Sequence, residues 1–201
     1  MGTPESLPLP RAHPAGLNAA AKLVIGFSII PASIFATLIV LRIFGLACPF
    51  SVPTGAMAPT ISPGDHVFME GLTYLHRQPR RGDVVVFKTE GIAQLPQEQN
   101  YVKRIAGQPR EQLSISSGDL YINGRVVALS NVTGRIVYSL PPFGAPLPTT
   151  NTFVPAGCYF VLGDNSTNSF DSRYWGCVPR KNIRGRISFC YWPPQRIGFV
   201  R

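Results

Sequence analysis

The chain contains few charged residues and very few acidic ones. Of its 201 residues, 14% are charged and 45% are hydrophobic. This composition excludes a wholly disordered chain, because segments that stay unfolded combine low hydrophobicity with high net charge. The 19 basic residues exceed the 10 acidic ones and leave a net charge of +9. Such an excess predicts attraction to an anionic surface, either lipid head groups or nucleic acid.

Residues that could bind a metal are scarce and scattered. The four cysteines have no Cys-x-x-Cys spacing and the three histidines do not cluster: Cys48, Cys158, Cys177, Cys190, His13, His66 and His76. Structural zinc sites need such clusters, so we expect no metal site. Four cysteines allow three full disulfide pairings, among which the sequence does not choose, and free thiols are our preferred interpretation.

Long helices are not expected beyond the N-terminal region. The 20 prolines and 19 glycines recur through the rest of the chain and interrupt nearly every helical window. Asn123-Gly124 lies between β-formers and predicts a hairpin. Short apolar or alternating runs predict further strands over 67–70, 83–89, 101–106, 158–162 and 184–191. We therefore predict a mainly β domain rich in loops.

One long apolar run is present near the N-terminus. Residues 23–41 carry no charge and are bracketed by Lys22 and Arg42, and their length suits the hydrocarbon core of a bilayer. We expect an uncleaved transmembrane helix, kinked at Pro31. A cleaved secretory signal is the alternative, because the small residues at 45 and 47 resemble a cleavage site.

The flanking basic residues predict how this anchor is oriented. Arg11 and Lys22 precede the run and Arg42 alone follows it closely, so the positive-inside bias places the N-terminus in the cytoplasm. About 150 residues then remain for one folded domain outside the cytoplasm. The expected order is a disordered tail, the anchor and an extracytoplasmic domain, over 1–21, 22–44 and 45–201.

Three segments of that domain could carry chemistry. The first, 52–60, has small residues that let another chain's backbone approach, although a plain linker is the alternative. In the second, 101–105, burial of Lys103 would lower its pKa from roughly 10.4 and let it accept a proton. An edge-strand lysine that prevents aggregation is the alternative there. The third, 163–176, is dense in short polar residues that fix loops.

In this order and at these spacings, the three segments resemble type I signal peptidases, membrane-bound serine endopeptidases that remove signal peptides from exported proteins. The strand over 83–87 and the hairpin at 122–124 are also similar to that family. The resemblance implies an antiparallel β-sheet catalytic domain with one N-terminal transmembrane helix in a bacterial-type inner membrane. It implies signal peptides and membrane lipid as partners, with no nucleic acid and no cofactor.

The resemblance also implies a role for each site residue. Lys103 matches the general base of a Ser/Lys dyad, and Thr54 matches a hydroxyl residue that helps to hold the oxyanion. Ser169 matches a residue that orients the lysine. The residues that match positions bracing the site are Asp171, Arg173 and Arg104, and those that match substrate-contacting positions are Met57 and Pro59.

One position departs from the family pattern. The family reads Pro-Ser-Gly-Ser-Met-x-Pro-Thr with the second serine as nucleophile, whereas this chain reads Pro-Thr-Gly-Ala-Met-Ala-Pro-Thr over 53–60. Ala56 has no hydroxyl to deprotonate, so covalent catalysis cannot proceed there. Because the base and its supports match, we interpret Ala56 as an engineered replacement of serine in a serine endopeptidase. The alternative is a natural pseudopeptidase that binds signal peptides without cleaving them.

Overall fold

The structure, a computed structural model, describes residues 19–43, 47–131, 134–139 and 151–200. The chain divides into two units, Met1–Val40 and Leu41–Arg201. Most of the predicted tail over 1–21 and the alternative cleavage site near residue 45 lie outside the described residues.

Helix α1, Ala19–Ile43, covers the predicted apolar run and includes Pro31. Among the residues open to description, no helix is both long enough and apolar enough to cross a membrane. The structure therefore does not confirm the transmembrane anchor expected over 22–44, and the anchor stays a prediction.

The second unit is built from short β-strands. In the described residues they are, in chain order, β1 Ala47–Ser51, β2 His66–Glu70, β3 Val84–Lys88, β4 Asn100–Gly107, β5 Gln112–Ser116, β6 Asp119–Ile122, β7 Arg125–Val127, β8 Ser130–Asn131, β9 Gly134–Arg135, β10 Thr152–Phe153, β11 Cys158–Leu162, β12 Val178–Pro179, β13 Ile183–Trp192 and β14 Gly198–Phe199. Two one-turn helices, α2 Thr73–His76 and α3 Ser172–Trp175, lie between them. The mainly β prediction is confirmed.

The strands form one large sheet and two small ones, with every pairing antiparallel. The large sheet has the order β1-β2-β13-β3-β4-β11-β12, with β14 beside β13. A second sheet has the order β10-β5-β6-β7, and β8 pairs with β9. The predicted hairpin joins β6 to β7, and its Asn123 and Gly124 have φ of 49° and 75°. Left-handed backbone at both central positions is what Asn-Gly allows in a tight hairpin.

The hydrophobic core lies on both faces of the large sheet. Strand β3 is flanked by β13 and β4, and its residues Val84–Phe87 are all buried. Val85 and Phe87 pack into one apolar cluster, whereas Val84 and Val86 pack into another, because successive side chains of a strand point to opposite faces. A third cluster joins β4 and β11 to the second sheet. All four cysteines are free thiols, as we expected.

Candidate active site

The three segments that the sequence singles out meet around one cavity of about 720 Å³. Its walls come mainly from three segments. These are residues 50–57, which include the end of β1 and the turn that follows it, residues 99–103 at the start of β4, and residues 167–170 in the loop after β11. These residues are distant in the sequence and are brought together by the sheet order, which places β4 next to β11. Position 56, Lys103 and Ser169 all line this cavity.

Ala56 lies on a single 3-10 turn, Gly55–Met57, in which Ala56 and Met57 are buried. The loop after β11 holds this turn in place. The backbone N–H of Asn165 donates to the Ala56 carbonyl at 3.1 Å, and its side-chain amide donates to the Gly55 carbonyl at 3.0 Å. The position of Ala56 is therefore set by hydrogen bonds to the backbone carbonyls of the turn, which do not involve the Ala56 side chain.

Gly163 allows this turn to approach Ser169 closely. A Cβ atom at Gly163 would lie 2.5 Å from the Ala56 carbonyl oxygen and would overlap the Ser169 side chain. No side chain larger than hydrogen fits at such distances without displacing backbone. The hydroxyl of Ser169 is buried and has no hydrogen-bond partner among the described residues. This hydroxyl therefore has unused hydrogen-bonding capacity within the wall of the cavity.

Lys103 lies on β4, opposite Val85 of the central strand β3. Its side chain is only 4% exposed. Burial lowers the pKa of the Lys103 ammonium to about 8, with a smaller opposing effect from the Asp171 carboxylate and a reinforcing one from the Arg173 guanidinium. A lysine with such a pKa has a substantial neutral fraction near physiological pH, and a neutral amine can accept a proton.

Two buried ion pairs are formed by residues close in sequence to Lys103 and Ser169 of the cavity wall. Arg104 binds Asp164 through two nitrogens, Nε to Oδ1 at 2.8 Å and Nη2 to Oδ2 at 2.6 Å. Arg173 binds Asp171 in the same two-pronged way, with both distances at 2.8 Å. Bidentate guanidinium–carboxylate pairs fix geometry as well as charge. Arg104, Asp171 and Arg173 are thus held in fixed positions by these hydrogen bonds, and their bracing role stays a prediction.

The hydrogen-bond network of these ion pairs includes residues that the sequence analysis did not assign to the site. The hydroxyl of Thr60 donates to Asp164, and the backbone N–H of Gly163 donates to Asp171 at 3.0 Å. Asp164 and Gly163 belong to the Gly-Asp-Asn run that directly follows β11. Their position in the sequence could have identified them, because they directly follow an apolar strand and begin the polar segment 163–176.

Three other predicted site residues have different placements. Thr54 is exposed on the cavity wall, and its side chain makes no capping hydrogen bond to the turn that follows. Met57 is buried and lines the cavity. Pro59 does not line it but contributes to a second, more open cavity beside it. Within the described part of the chain, no three acidic, histidine or cysteine side chains are grouped where they could hold a metal ion.

Comparison with known proteins gives one family match and several relatives. The family profile described as "Signal peptidase, peptidase S26" matches residues 23–192. The chain is 34% identical over 150 residues to the probable signal peptidase I-2 of a Synechocystis strain, covering 74% of this chain and 65% of that protein. It is 38% identical over 161 residues to the probable thylakoidal processing peptidase 2 of Arabidopsis thaliana, covering 77% of this chain and 41% of that one.

A solved structure is also similar. A crystal structure of a signal peptidase I from Enterococcus faecalis V583 is 30% identical, with a TM-score of 0.41, and the match covers 55% of this chain and 97% of that one. The chain thus spans just under two thirds of the cyanobacterial relative and less than half of the plant relative.

Proposed function

This chain belongs to the signal peptidase family, peptidase S26, and from that premise we propose that its serine form removes signal peptides from exported preproteins with a Ser/Lys dyad. The observation that carries the proposal is the position of Lys103. A buried amine with a pKa of about 8 shares a cavity with the family's nucleophile position and with an unpartnered hydroxyl, that of Ser169. Burial of a lysine costs stability, so its presence here supports a chemical role.

In the serine form, neutral Lys103 takes the proton of the hydroxyl as the serine oxygen attacks the scissile carbonyl carbon. The oxyanion is held by the backbone N–H of residue 56 together with the Thr54 hydroxyl. The peptide C–N bond then breaks, the protonated lysine gives its proton to the leaving amine, and an acyl-enzyme remains. The neutral lysine next takes a proton from water, whose oxygen attacks the ester carbonyl carbon. As the ester C–O bond breaks, the protonated lysine returns that proton to the serine oxygen, and the signal peptide leaves with a new C-terminal carboxyl group.

The cavity suits an extended peptide with small residues before the cut. Its walls combine apolar side chains, including Phe50, Val52, Val86 and Val102, with the backbone of the turn at position 56. Segments that bind as an extra strand obtain affinity from backbone hydrogen bonds and specificity from such side-chain pockets. We assign the residues that precede the cleavage site to this cavity, with Met57 as part of its wall.

The membrane location is part of the proposal. The apolar sequence over 23–41 and the basic residues around it support a single-pass anchor with the catalytic domain outside the cytoplasm. An anchor of this kind would restrict the enzyme and a membrane-inserted signal peptide to the same plane and raise their effective concentration.

Ala56 makes the chain as it stands inactive in this mechanism, because no hydroxyl is available at the turn. We interpret it as an engineered serine replacement, since Lys103 and both buried ion pairs are intact. The second candidate function, a natural pseudopeptidase that captures signal peptides, is favoured by Ala56 itself. The two candidates differ in what restoring the serine does.

Cleavage of a detergent-solubilised preprotein tests both. We expect Ala56→Ser to cut after a small-x-small sequence, while the chain as it stands and the double variant Ala56→Ser with Lys103→Ala do not. Ala56→Ser with Lys181→Ala is the matched control, because Lys181 is exposed and should leave the rate unchanged. A folded Ala56→Ser protein that binds the preprotein but never cuts it would establish the pseudopeptidase instead.

A further inference from the structure

A second cavity, of about 360 Å³, adjoins the first one. On one side the first cavity is lined by 50–57 and the second by the next two residues, Ala58 and Pro59. On the other side the first is lined by 167–170 and the second by 164–167, so Thr167 belongs to both. The two cavities therefore adjoin at Thr167, and Ala56 lines the first one two residues before Ala58 of the second.

In the proposed mechanism, a substrate laid across both cavities has its scissile bond at position 56. An extended peptide advances about 3.3 Å per residue, so a few residues beyond the bond reach the second cavity. We infer that the second cavity binds the first residues of the mature protein, and that Arg135 on its wall selects acidic side chains there. This inference rests on the proposed function and adds a specificity site on the far side of the cut.

The charges on the second cavity favour an acidic ligand. Arg135 lines it with a side chain that is 49% exposed. Its ion-pair partner Asp119 is less exposed, at 28%, and is not part of the wall. Among the described residues of the wall the one carboxylate is that of Asp164, which is buried and engaged by the Arg104 guanidinium. Arg135 is thus the charge that a peptide in this cavity meets.

The remaining wall is suited to a peptide rather than to a small ion. Ile136 and the exposed Val137 add apolar surface next to Arg135. The hydroxyl of Ser166 is already used, because it accepts from the backbone N–H of Ser139 at 2.9 Å. The site therefore offers one exposed cation beside apolar side chains, which fits an aliphatic stretch carrying one carboxylate.

The test compares preprotein peptides that are identical up to the cut and carry glutamate or lysine at the first, second or third residue after it. In the Ala56→Ser protein we expect kcat/KM to favour glutamate over lysine at one of these positions by about two- to fivefold, the size expected of a partly exposed ion pair. The preference should shrink as salt is raised from low ionic strength, since exposed charges are screened. Arg135→Gln should abolish the preference, and Arg135→Glu should reverse it.

Arg125→Glu is the matched control, because Arg125 is exposed, lies at the hairpin end of β7 and lines neither cavity. It changes the net charge by the same amount and should leave the glutamate preference intact. Equal effects of Arg125→Glu and Arg135→Glu would show a bulk charge effect and overturn the inference.

Affinity is measured separately by titrating the same peptides onto the chain as it stands, because Ala56 prevents turnover in the proposed mechanism. If Ala56→Ser cleaves both peptides but neither rate nor affinity depends on Arg135, the specificity site is wrong while the proposed function stands. If Ala56→Ser cuts neither peptide and the chain binds neither, the proposed function itself fails.

Discussion

At the scale of single residues, the proposed role of Lys103 as a base requires a burial that costs stability. The folded protein holds its pKa at about 8 against an ordinary 10.5. Below pH 8 the lysine is charged in both folded and unfolded states, and the folded state carries the full cost of the buried charge. The 2.5-unit difference between these pKa values corresponds to about 3 kcal/mol.

We therefore expect Lys103→Met to raise the free energy of unfolding by up to about 3 kcal/mol at pH 7, since methionine fills similar space without charge. The gain should shrink as the pH rises from 8 toward 10.5, where the unfolded lysine also loses its proton. Denaturant unfolding in detergent across this pH range measures it. Lys181→Met, at an exposed lysine, should change stability by less than about 0.5 kcal/mol. A destabilised Lys103→Met protein at pH 7 would contradict the assigned burial cost.

Gly163 sets the geometry between position 56 and Ser169. In Gly163→Ala, the new methyl group meets the Ala56 carbonyl and the Ser169 side chain, so one of these segments must move. A shift of about 1 Å in a catalytic group can cost on the order of 10²-fold in rate. We expect a loss of that order in kcat for the Ala56→Ser background. Gly198→Ala has open space around the added carbon and should retain the parent rate. Equal rates for both alanine variants would show that this close approach is not required.

The contrast between these residues shows what the sequence could predict. Lys103 and Ser169 could be assigned because each lies in a recognisable segment, and the structure places both on one cavity. Gly163 could not, because its requirement arises from a carbonyl more than a hundred residues earlier in the chain. The resemblance assigns both Met57 and Pro59 to substrate contact, but it does not predict that Met57 lines the first cavity and Pro59 the second.

At the scale of elements, Asp171 joins the end of β11 to helix α3. Its carboxylate accepts the backbone N–H groups of Gly163 and Arg173 at 3.0 and 3.2 Å, besides pairing with the Arg173 guanidinium. Both side chains are almost fully buried. Removing one partner of a buried pair leaves the other charge uncompensated, which typically costs about 3–5 kcal/mol.

Asp171→Asn keeps the shape of the side chain, but it removes the charge and replaces one acceptor oxygen with an NH2 donor that would face N–H groups. We expect it to lower the free energy of unfolding by about 3 kcal/mol, measured by denaturant titration. The matched control is Glu90→Gln, which breaks the exposed pair with Lys88 and should cost no more than about 1 kcal/mol. Similar losses in the two variants would mean that the Asp171 pair is not acting as a buried charge pair.

The elements themselves were predictable to different degrees. Apolar runs and the Asn-Gly turn located β2, β3, β4, β11, β13 and the β6–β7 hairpin to within a few residues. The placement of β13 between β2 and β3 was not predictable, because it depends on pairing across more than a hundred residues. The two-residue strands β8, β9, β10, β12 and β14 carry no periodic pattern that a sequence could reveal.

At the scale of the whole molecule, our proposal implies that Ala56 separates binding from turnover. The cavity walls and the two buried ion pairs do not depend on a serine hydroxyl, because hydrogen bonds to backbone carbonyls hold the turn at position 56. The chain as it stands should therefore bind an intact preprotein and keep it. A ligand that binds only the folded state stabilises it by about 2.7 kcal/mol at a concentration of 100 times Kd.

We expect a preprotein peptide with small residues before the cut to raise the Tm of the chain as it stands, and the rise to grow with peptide concentration. A peptide of the same composition with a large aromatic residue just before the cut should have little effect, since our proposal assigns a small side chain to the position next to the turn at position 56. Substrate cleavage by Ala56→Ser without any peptide-dependent Tm shift in the parent would contradict this account. In that case productive binding would require the serine hydroxyl, and the cavity around Lys103 would not be a preformed binding site.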